Sequence, residues 1–217
     1  MTEPATLRAE RERVGQLGRE MLAQGLTRGT GGNVSVRSGD GVAISPSGVP
    51  YEDVTPETVP VVDLDGNRLR GDLKPSSETP MHAILYRSRD DVGGIVHTHS
   101  PYASTFASLN EPIPASHYLI AYVGTEIPVA GYEPPGTEAL GGLAAEAMGE
   151  DCDAVLLKNH GVVAVGSTGA DALEVAQMVE YCARIHYQAI SVGEPEILPD
   201  DSVRDLRKMF TESYGQR

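Results

Sequence analysis

His97-Thr-His99 closes an apolar run that begins at Gly94. In a strand, side chains at i and i+2 point to one face, so both imidazoles can reach a common point. A third imidazole, His160, sits in Asn159-His-Gly161 after another apolar run, where Gly161 permits a sharp turn. Three histidines with a vacant fourth position describe a catalytic zinc rather than a closed structural site. Packing histidines would give the same local pattern, and manganese or cobalt stays open because nitrogen-rich sites accept several divalent ions. Among the six histidines of the chain, the other three fit less well. His186 falls on an apolar helical stripe and reads as packing, and His82 falls one turn from Glu78 as a supporting group. His117 precedes Tyr118 in a loop and is left open.

Lys74-Pro-Ser-Ser-Glu78 brings two hydroxyls and a carboxylate to a predicted helix start. Unpaired amides and the positive dipole end make such a place an anion site. Glu78 there is either an ordinary first-turn acid, with Ser77 as the cap, or a general base beside the metal. Gly29-Thr-Gly-Gly-Asn33 lacks the Lys-Ser/Thr ending of a P-loop. It follows a helix and precedes a strand, the reverse of a dinucleotide fingerprint, so NAD and ATP are disfavoured. It can still offer amides to a phosphate, as can Ser45-Pro-Ser-Gly48; a plain flexible turn is the alternative.

The elements that must position these groups follow from periodicity. Leu7, Val14, Leu17, Met21 and Leu22 form one helical stripe ending near Gly25. Val34 to Arg37 and Val42 to Ser45 read as strands, and Val61 to Arg70 as a hairpin turning at Asp65-Gly66. A helix is predicted from Ser77, with Ile84 and Leu85 facing inward, then a strand over Gly94 to His99 and a short helix capped by Ser100. A helix over Thr137 to Met148, strands at Ala154 to Leu157 and Val162 to Val165, and a long helix carrying Ala172, Val175, Ala176, Val179, Cys182, Ala183, His186 and Ala189 complete the order. A last helix, capped by Ser202, ends near Tyr214. No repeat, linker or composition break divides the chain. One α/β domain over residues 1–217 is predicted, with antiparallel pairing because hairpin-like connections outnumber crossovers.

With 31 acidic residues against 17 basic ones, the formal charge of −14 repels phosphate backbones and argues against nucleic acid as a partner. Only Lys74, Lys158 and Lys208 are lysines, which reads either as adaptation to concentrated salt or as ordinary acidic drift. No apolar run approaches the ~20 residues of a membrane span, and the charged first ten residues do not read as a secretion signal. Two cysteines, Cys152 and Cys182, form no C-x-x-C, so a cytoplasmic location with reduced thiols is expected.

Taken together, Gly29-Thr-Gly-Gly-Asn-Val-Ser-Val-Arg37, Ser45-Pro-Ser-Gly-Val-Pro-Tyr51, Lys74-Pro-Ser-Ser-Glu78, Val96-His-Thr-His99 and Asn159-His-Gly161 resemble, in order and over nearly the whole chain, the class II aldolase/adducin family. The resemblance implies a central, mainly antiparallel sheet flanked by helices, a homotetramer with active sites between copies, and a mobile tail around residues 200–217. It also implies one zinc per subunit on His97, His99 and His160, with Glu78 on or near the metal as the base. Substrate phosphate would lie among Gly32, Asn33, Ser47, Gly48, Ser76 and Ser77. Tyr118, reaching in from a neighbouring subunit, would serve the aldehyde oxygen, and Tyr214 of the tail would be a further catalytic tyrosine. The implied reaction is reversible cleavage of a ketose 1-phosphate, L-fuculose 1-phosphate foremost, to dihydroxyacetone phosphate and an aldehyde (L-lactaldehyde) through a zinc-stabilised enediolate. Alternatives within the family are a pentulose-phosphate 4-epimerase or another sugar-phosphate aldolase or dehydratase. An adducin-head-like interaction module without a metal is the alternative from another class.

Overall fold

A computed structural model describes residues 7–212. Eight strands form one sheet: β1 (Asn33–Ser38), β2 (Gly41–Ile44), β3 (Val61–Asp63), β4 (Arg68–Arg70), β5 (Gly94–Thr98), β6 (Val129–Ala130), β7 (Ala154–Leu157) and β8 (Gly161–Gly166). Their order is β4-β3-β2-β1-β5-β8-β7-β6, and every pair is antiparallel except β6 with β7. The expectation of a mainly antiparallel sheet is met. Six helices cover it: α1 (Arg8–Ala23), α2 (Thr79–Ser88), α3 (Pro101–Leu109), α4 (Glu138–Met148), α5 (Gly169–Val192) and α6 (Asp200–Glu212).

Alternation along the central strands builds two cores. Val34, Val96, Val162 and Ala164 face the side where Leu17 of α1, Phe106 of α3 and Val179 of α5 pack. Ile95, Val163 and Val165 face the other side, against Met81 and Leu85 of α2 and Leu140 of α4. A three-layer domain with both sheet faces covered results, which is why its central strands read as continuous apolar runs. His97, two residues after Ile95, therefore points to the α2 face. The predicted stripes of α1 and α5 are buried at Val14, Leu17 and Met21, and at Ala172, Val175, Ala176, Val179, Cys182, Ala183 and His186.

Several local expectations are corrected. Ser77 is exposed, and α2 is preceded by Glu78 rather than capped by Ser77; Ser76 instead accepts the Glu78 amide at 3.2 Å. Ile84 is only half-buried, against α4. Ser100 occupies the N-cap of α3 without a capping bond, because the Glu180 carboxylate of α5 accepts the Tyr102 and Ala103 amides, both at 3.0 Å. A charged acceptor outcompetes a hydroxyl there. α6 begins at Asp200, two residues before Ser202. Within the stretch read as a tail, Asp200–Glu212 is helical, with Val203 and Phe210 buried and Arg207 on Asp153 at 2.6 Å; Tyr214 lies outside the described residues. Strand β6 was not foreseen, since two residues carry no periodicity. Among the described residues, no helix is long and apolar enough to cross a membrane.

Candidate active site

Sheet register assembles the site. β8 pairs with β5 so that Thr98 faces Val162, and β7 pairs with β8 so that Leu157 faces Gly161. The tip of the β7–β8 hairpin, which carries His160, therefore lies beside the end of β5, which carries His97 and leads to His99. Gly161 makes this approach possible: a Cβ there would lie 2.3 Å from the Thr98 carbonyl oxygen. Gly161→Ala is expected to cost about 2–3 kcal/mol and to displace His160. Denaturant melts alongside a zinc titration check this, and unchanged stability and affinity would contradict it.

The three rings form a tight triangle, with centroids 4.8 Å (His97–His99), 4.7 Å (His97–His160) and 5.2 Å (His99–His160) apart. One nitrogen from each lies within 4.8 Å of the others. His97 is fully buried, and its Nδ1 donates to the Val162 carbonyl at 2.7 Å. That bond leaves Nε2 of the neutral ring without a proton. Nε2 nevertheless faces His99 Nε2 at 3.0 Å and Glu78 Oε2 at 3.0 Å. Lone pairs at such distances require a positive charge between them, either a proton or a metal ion. Glu78 Oε1 and His160 Nδ1 are buried with no hydrogen-bond partner. The donor set thus fits a divalent metal, with two orphaned atoms and three converging nitrogens.

Glu78 arrives from the N-terminal edge of α2. Its loop is zipped to the Ser45–Gly48 loop by Ser47 N–H on the Lys74 carbonyl at 2.9 Å and Ser76 N–H on the Ser45 carbonyl at 3.0 Å. Burial pushes the Glu78 carboxyl up, but the facing His97 and His160 imidazoles and the Asn33 amide outweigh it and hold the group below its ordinary range. His82 is pushed down to about 3 by burial, and His99 to about 4 by burial and then His97. Burial also lowers His160. Neutral imidazoles are what a metal requires.

Acid sensitivity follows with one sign. Below pH 6.5, the ordinary value for His82, the unfolded chain binds protons that the folded one refuses, so stability falls with pH. Glu78 adds loss in the same direction once pH drops through the unfolded carboxylate range. For His82 alone the loss between pH 7 and pH 5 is about 2 kcal/mol. Guanidinium melts of metal-free protein at the two pH values check it; an unmoved midpoint would mean that the buried ring accepts its proton.

One cavity of about 230 Å³ opens beside the cluster. Its lining includes all six residues expected to hold phosphate, together with Glu78, His99 and His160. Among the described residues no Lys or Arg lines it, so amides, hydroxyls and the α2 terminus would bind an anion there. Gly32, at φ +67°, has no room for a Cβ, which would lie 2.5 Å from the His97 carbonyl oxygen. Asn33 differs from the expectation in one respect. Its carboxamide is engaged by Glu78 Oε2 at 2.8 Å and by His82 Nε2 at 2.5 Å. Tyr118, in a 3-10 turn over Tyr118–Tyr122, is exposed and does not line the cavity of its own chain. His186 packs on Phe106, as read from its stripe, and His117 accepts the Leu119 amide as a cap. Thr30 and Gly31, within the Gly-rich run read as a phosphate loop, also line the cavity, whereas Pro135, which lines it too, was missed because no local pattern marks it. Ser35 and Tyr86, buried behind His82, were missed as well, since strand and helix periodicity class them as packing.

A mainly antiparallel α/β sheet presenting this site is the architecture of the class II aldolases. The chain belongs to that family: residues 12–187 match the family model described as Class II Aldolase and Adducin N-terminal domain. It is similar to the 5-deoxy-D-ribulose 1-phosphate aldolase of Bacillus thuringiensis, with 48% identity over 97% of this chain and 99% of that one. A 5-methylthioribulose-1-phosphate/5-deoxyribulose-1-phosphate aldolase of Rhodospirillum rubrum is 40% identical, over 91% of this chain and 88% of that one. Among solved structures, an L-fuculose 1-phosphate aldolase superposes with a TM-score of 0.91 at 40% identity, covering 94% of this chain and 96% of that one.

Proposed function

We propose that this enzyme cleaves a 5-deoxypentulose 1-phosphate, with 5-deoxyribulose 1-phosphate foremost, to dihydroxyacetone phosphate and acetaldehyde. The observation that carries the aldol reading is the meeting of His97, His99, His160 and Glu78 beside one cavity lined by the six residues expected to hold phosphate. The choice of substrate is supported by the near end-to-end similarity to a protein named for it. L-fuculose 1-phosphate is the second reading, favoured by the likeness to the solved fuculose phosphate aldolase. Both substrates share carbons one to three, so the same phosphate loops and metal ligands serve either. Only the aldehyde half differs, by a hydroxymethylene that turns acetaldehyde into L-lactaldehyde.

Bound to His97, His99 and His160, a divalent ion, zinc in this reading, would supply the positive charge that accepts electron density at the C2 oxygen. The protein's own groups do the rest. Backbone amides and hydroxyls around Gly32, Ser47, Gly48, Ser76 and Ser77 hold the phosphate, so binding remote from the bond orients C3. Loss of the C4 hydroxyl proton lets the C3–C4 bond break, leaving its electron pair on the C2–C3 unit as the aldehyde departs. Net, one proton passes from the C4 hydroxyl to C3. Glu78, having taken up the proton that the hydroxyl side gave up, delivers it to C3; in synthesis it removes the C3 proton while the aldehyde oxygen gains one. Tyr118 is assigned to the aldehyde oxygen, with Tyr214 as a further catalytic tyrosine. Tyr118 is exposed on its own chain, so this assignment requires a second copy, in keeping with the homotetramer the family resemblance implies.

The test is a panel of 5-deoxyribulose, 5-methylthioribulose and L-fuculose 1-phosphates, with released dihydroxyacetone phosphate and aldehyde measured. The largest kcat/KM is expected for 5-deoxyribulose 1-phosphate. A larger value for L-fuculose 1-phosphate would favour the second reading. Epimer without cleavage, or dehydration, would move the assignment elsewhere in the family, and failure to bind metal would favour a non-catalytic module.

A further inference from the structure

Behind Glu78 runs a buried chain of hydrogen bonds that the reaction as described does not use. Tyr86 Oη lies 2.8 Å from Ser35 Oγ, and Ser35 Oγ lies 2.7 Å from His82 Nδ1. His82 Nε2 reaches Asn33 Oδ1 at 2.5 Å, and Asn33 Nδ2 donates to Glu78 Oε2 at 2.8 Å. Ser35, His82 and Tyr86, behind the cavity wall formed by Asn33 and Glu78, are fully buried, so water cannot stand in for a lost partner among them.

The ionised carboxylate sets every direction in this chain. Glu78 only accepts, so Asn33 must turn its NH2 toward it and its carbonyl toward His82. His82 must then carry its proton on Nε2, which leaves Nδ1 to accept from the Ser35 hydroxyl. Ser35, having given its proton, accepts from Tyr86. Inverting any one member places two acceptors face to face in a buried site, which is costly. The arrangement also separates the two carboxylate oxygens. Oε2 is tied by Asn33 and faces His97 Nε2 at 3.0 Å, whereas Oε1 has no hydrogen-bond partner and stands 3.6 Å from His160 Nε2.

We infer that His82 is a positioning residue: with Ser35 behind it, it locks the Asn33 carboxamide so that Glu78 is held by Oε2 and presents Oε1 for proton transfer at C3. This rests on the reading of Glu78 as the base. Side chains from α2 and β1 thus orient a proton-transfer group without touching substrate.

The experiment is exchange of the C3 hydrogen of dihydroxyacetone phosphate with D2O, followed by NMR on zinc-loaded protein. It needs no knowledge of the aldehyde. His82→Leu is expected to lower kcat for exchange about 10–100-fold, with KM and zinc content unchanged. His82→Gln, whose amide can still donate to Asn33, is expected to recover most of that loss. Should His82→Leu fail to fold, Ser35→Ala removes only the donor to Nδ1 and is expected to lower kcat about 10-fold. Wild-type exchange in the variant that folds, equal losses in the Leu and Gln variants, or a loss carried by KM or zinc content would overturn the inference. Glu78→Gln is run alongside. If it is inactive while His82→Leu is not, only the positioning role fails; if it exchanges at the wild-type rate, the base assignment fails and this inference with it.

Discussion

Glu78→Gln is expected to give a folded, zinc-binding protein whose cleavage rate falls by about 1,000-fold. The substitution keeps shape and leaves an amide oxygen to accept from Asn33 Nδ2 at 2.8 Å. What it removes is basicity. An amide cannot take a proton from carbon or return one, so both cleavage and hydrogen exchange into dihydroxyacetone phosphate stop together. The histidines supply three nitrogens without it, so zinc is retained at least in part. The decisive measurement pairs zinc stoichiometry with turnover on the same preparation. Normal turnover would assign the proton to another group. Loss of metal with loss of turnover would make Glu78 chiefly a ligand.

The second large effect belongs to His97→Ala. This ring is fully buried, its Nδ1 is fixed on Val162, and its Nε2 meets both His99 and Glu78. Truncation removes the ligand that the others are arranged around and leaves the Val162 carbonyl without its donor. Zinc binding and activity are both expected to disappear, and the apoprotein to lose about 2–4 kcal/mol through the cavity and the orphaned carbonyl. Packing damage and metal loss separate by melting each protein with and without zinc. At 1,000 times its Kd, zinc stabilises wild type by about 4 kcal/mol, and it should leave the variant unmoved. Stoichiometric loading of the variant would sink the three-histidine centre. For wild type, full activity after exhaustive chelation would do the same.

Much of this was written locally. Helical stripes such as Val14-Leu17-Met21 and strands such as Gly94–Thr98 depend on period and burial, which neighbouring residues specify. Histidines at i and i+2 share a face wherever the strand lies, so the His97–His99 pair was legible before its surroundings were. Capping was less legible. The carboxylate that closes α3 comes from Glu180, far along the chain, and no local pattern announces it.

The division has a physical basis. Residue types, their periodicity and the order of motifs determined the α/β class, the three candidate metal-binding histidines and the carboxylate proposed to act with them, because those follow from backbone geometry and side-chain chemistry. Only the tertiary structure decided that β5 and β8 pair in the register that carries His160 to His97, that the Ser45 and Ser76 loops are zipped into one cavity, and that Asn33 spends its carboxamide on Glu78 and His82. Such contacts join groups distant in sequence. Their free energy comes from burial and mutual hydrogen bonding, which exist only once the whole sheet has closed around them.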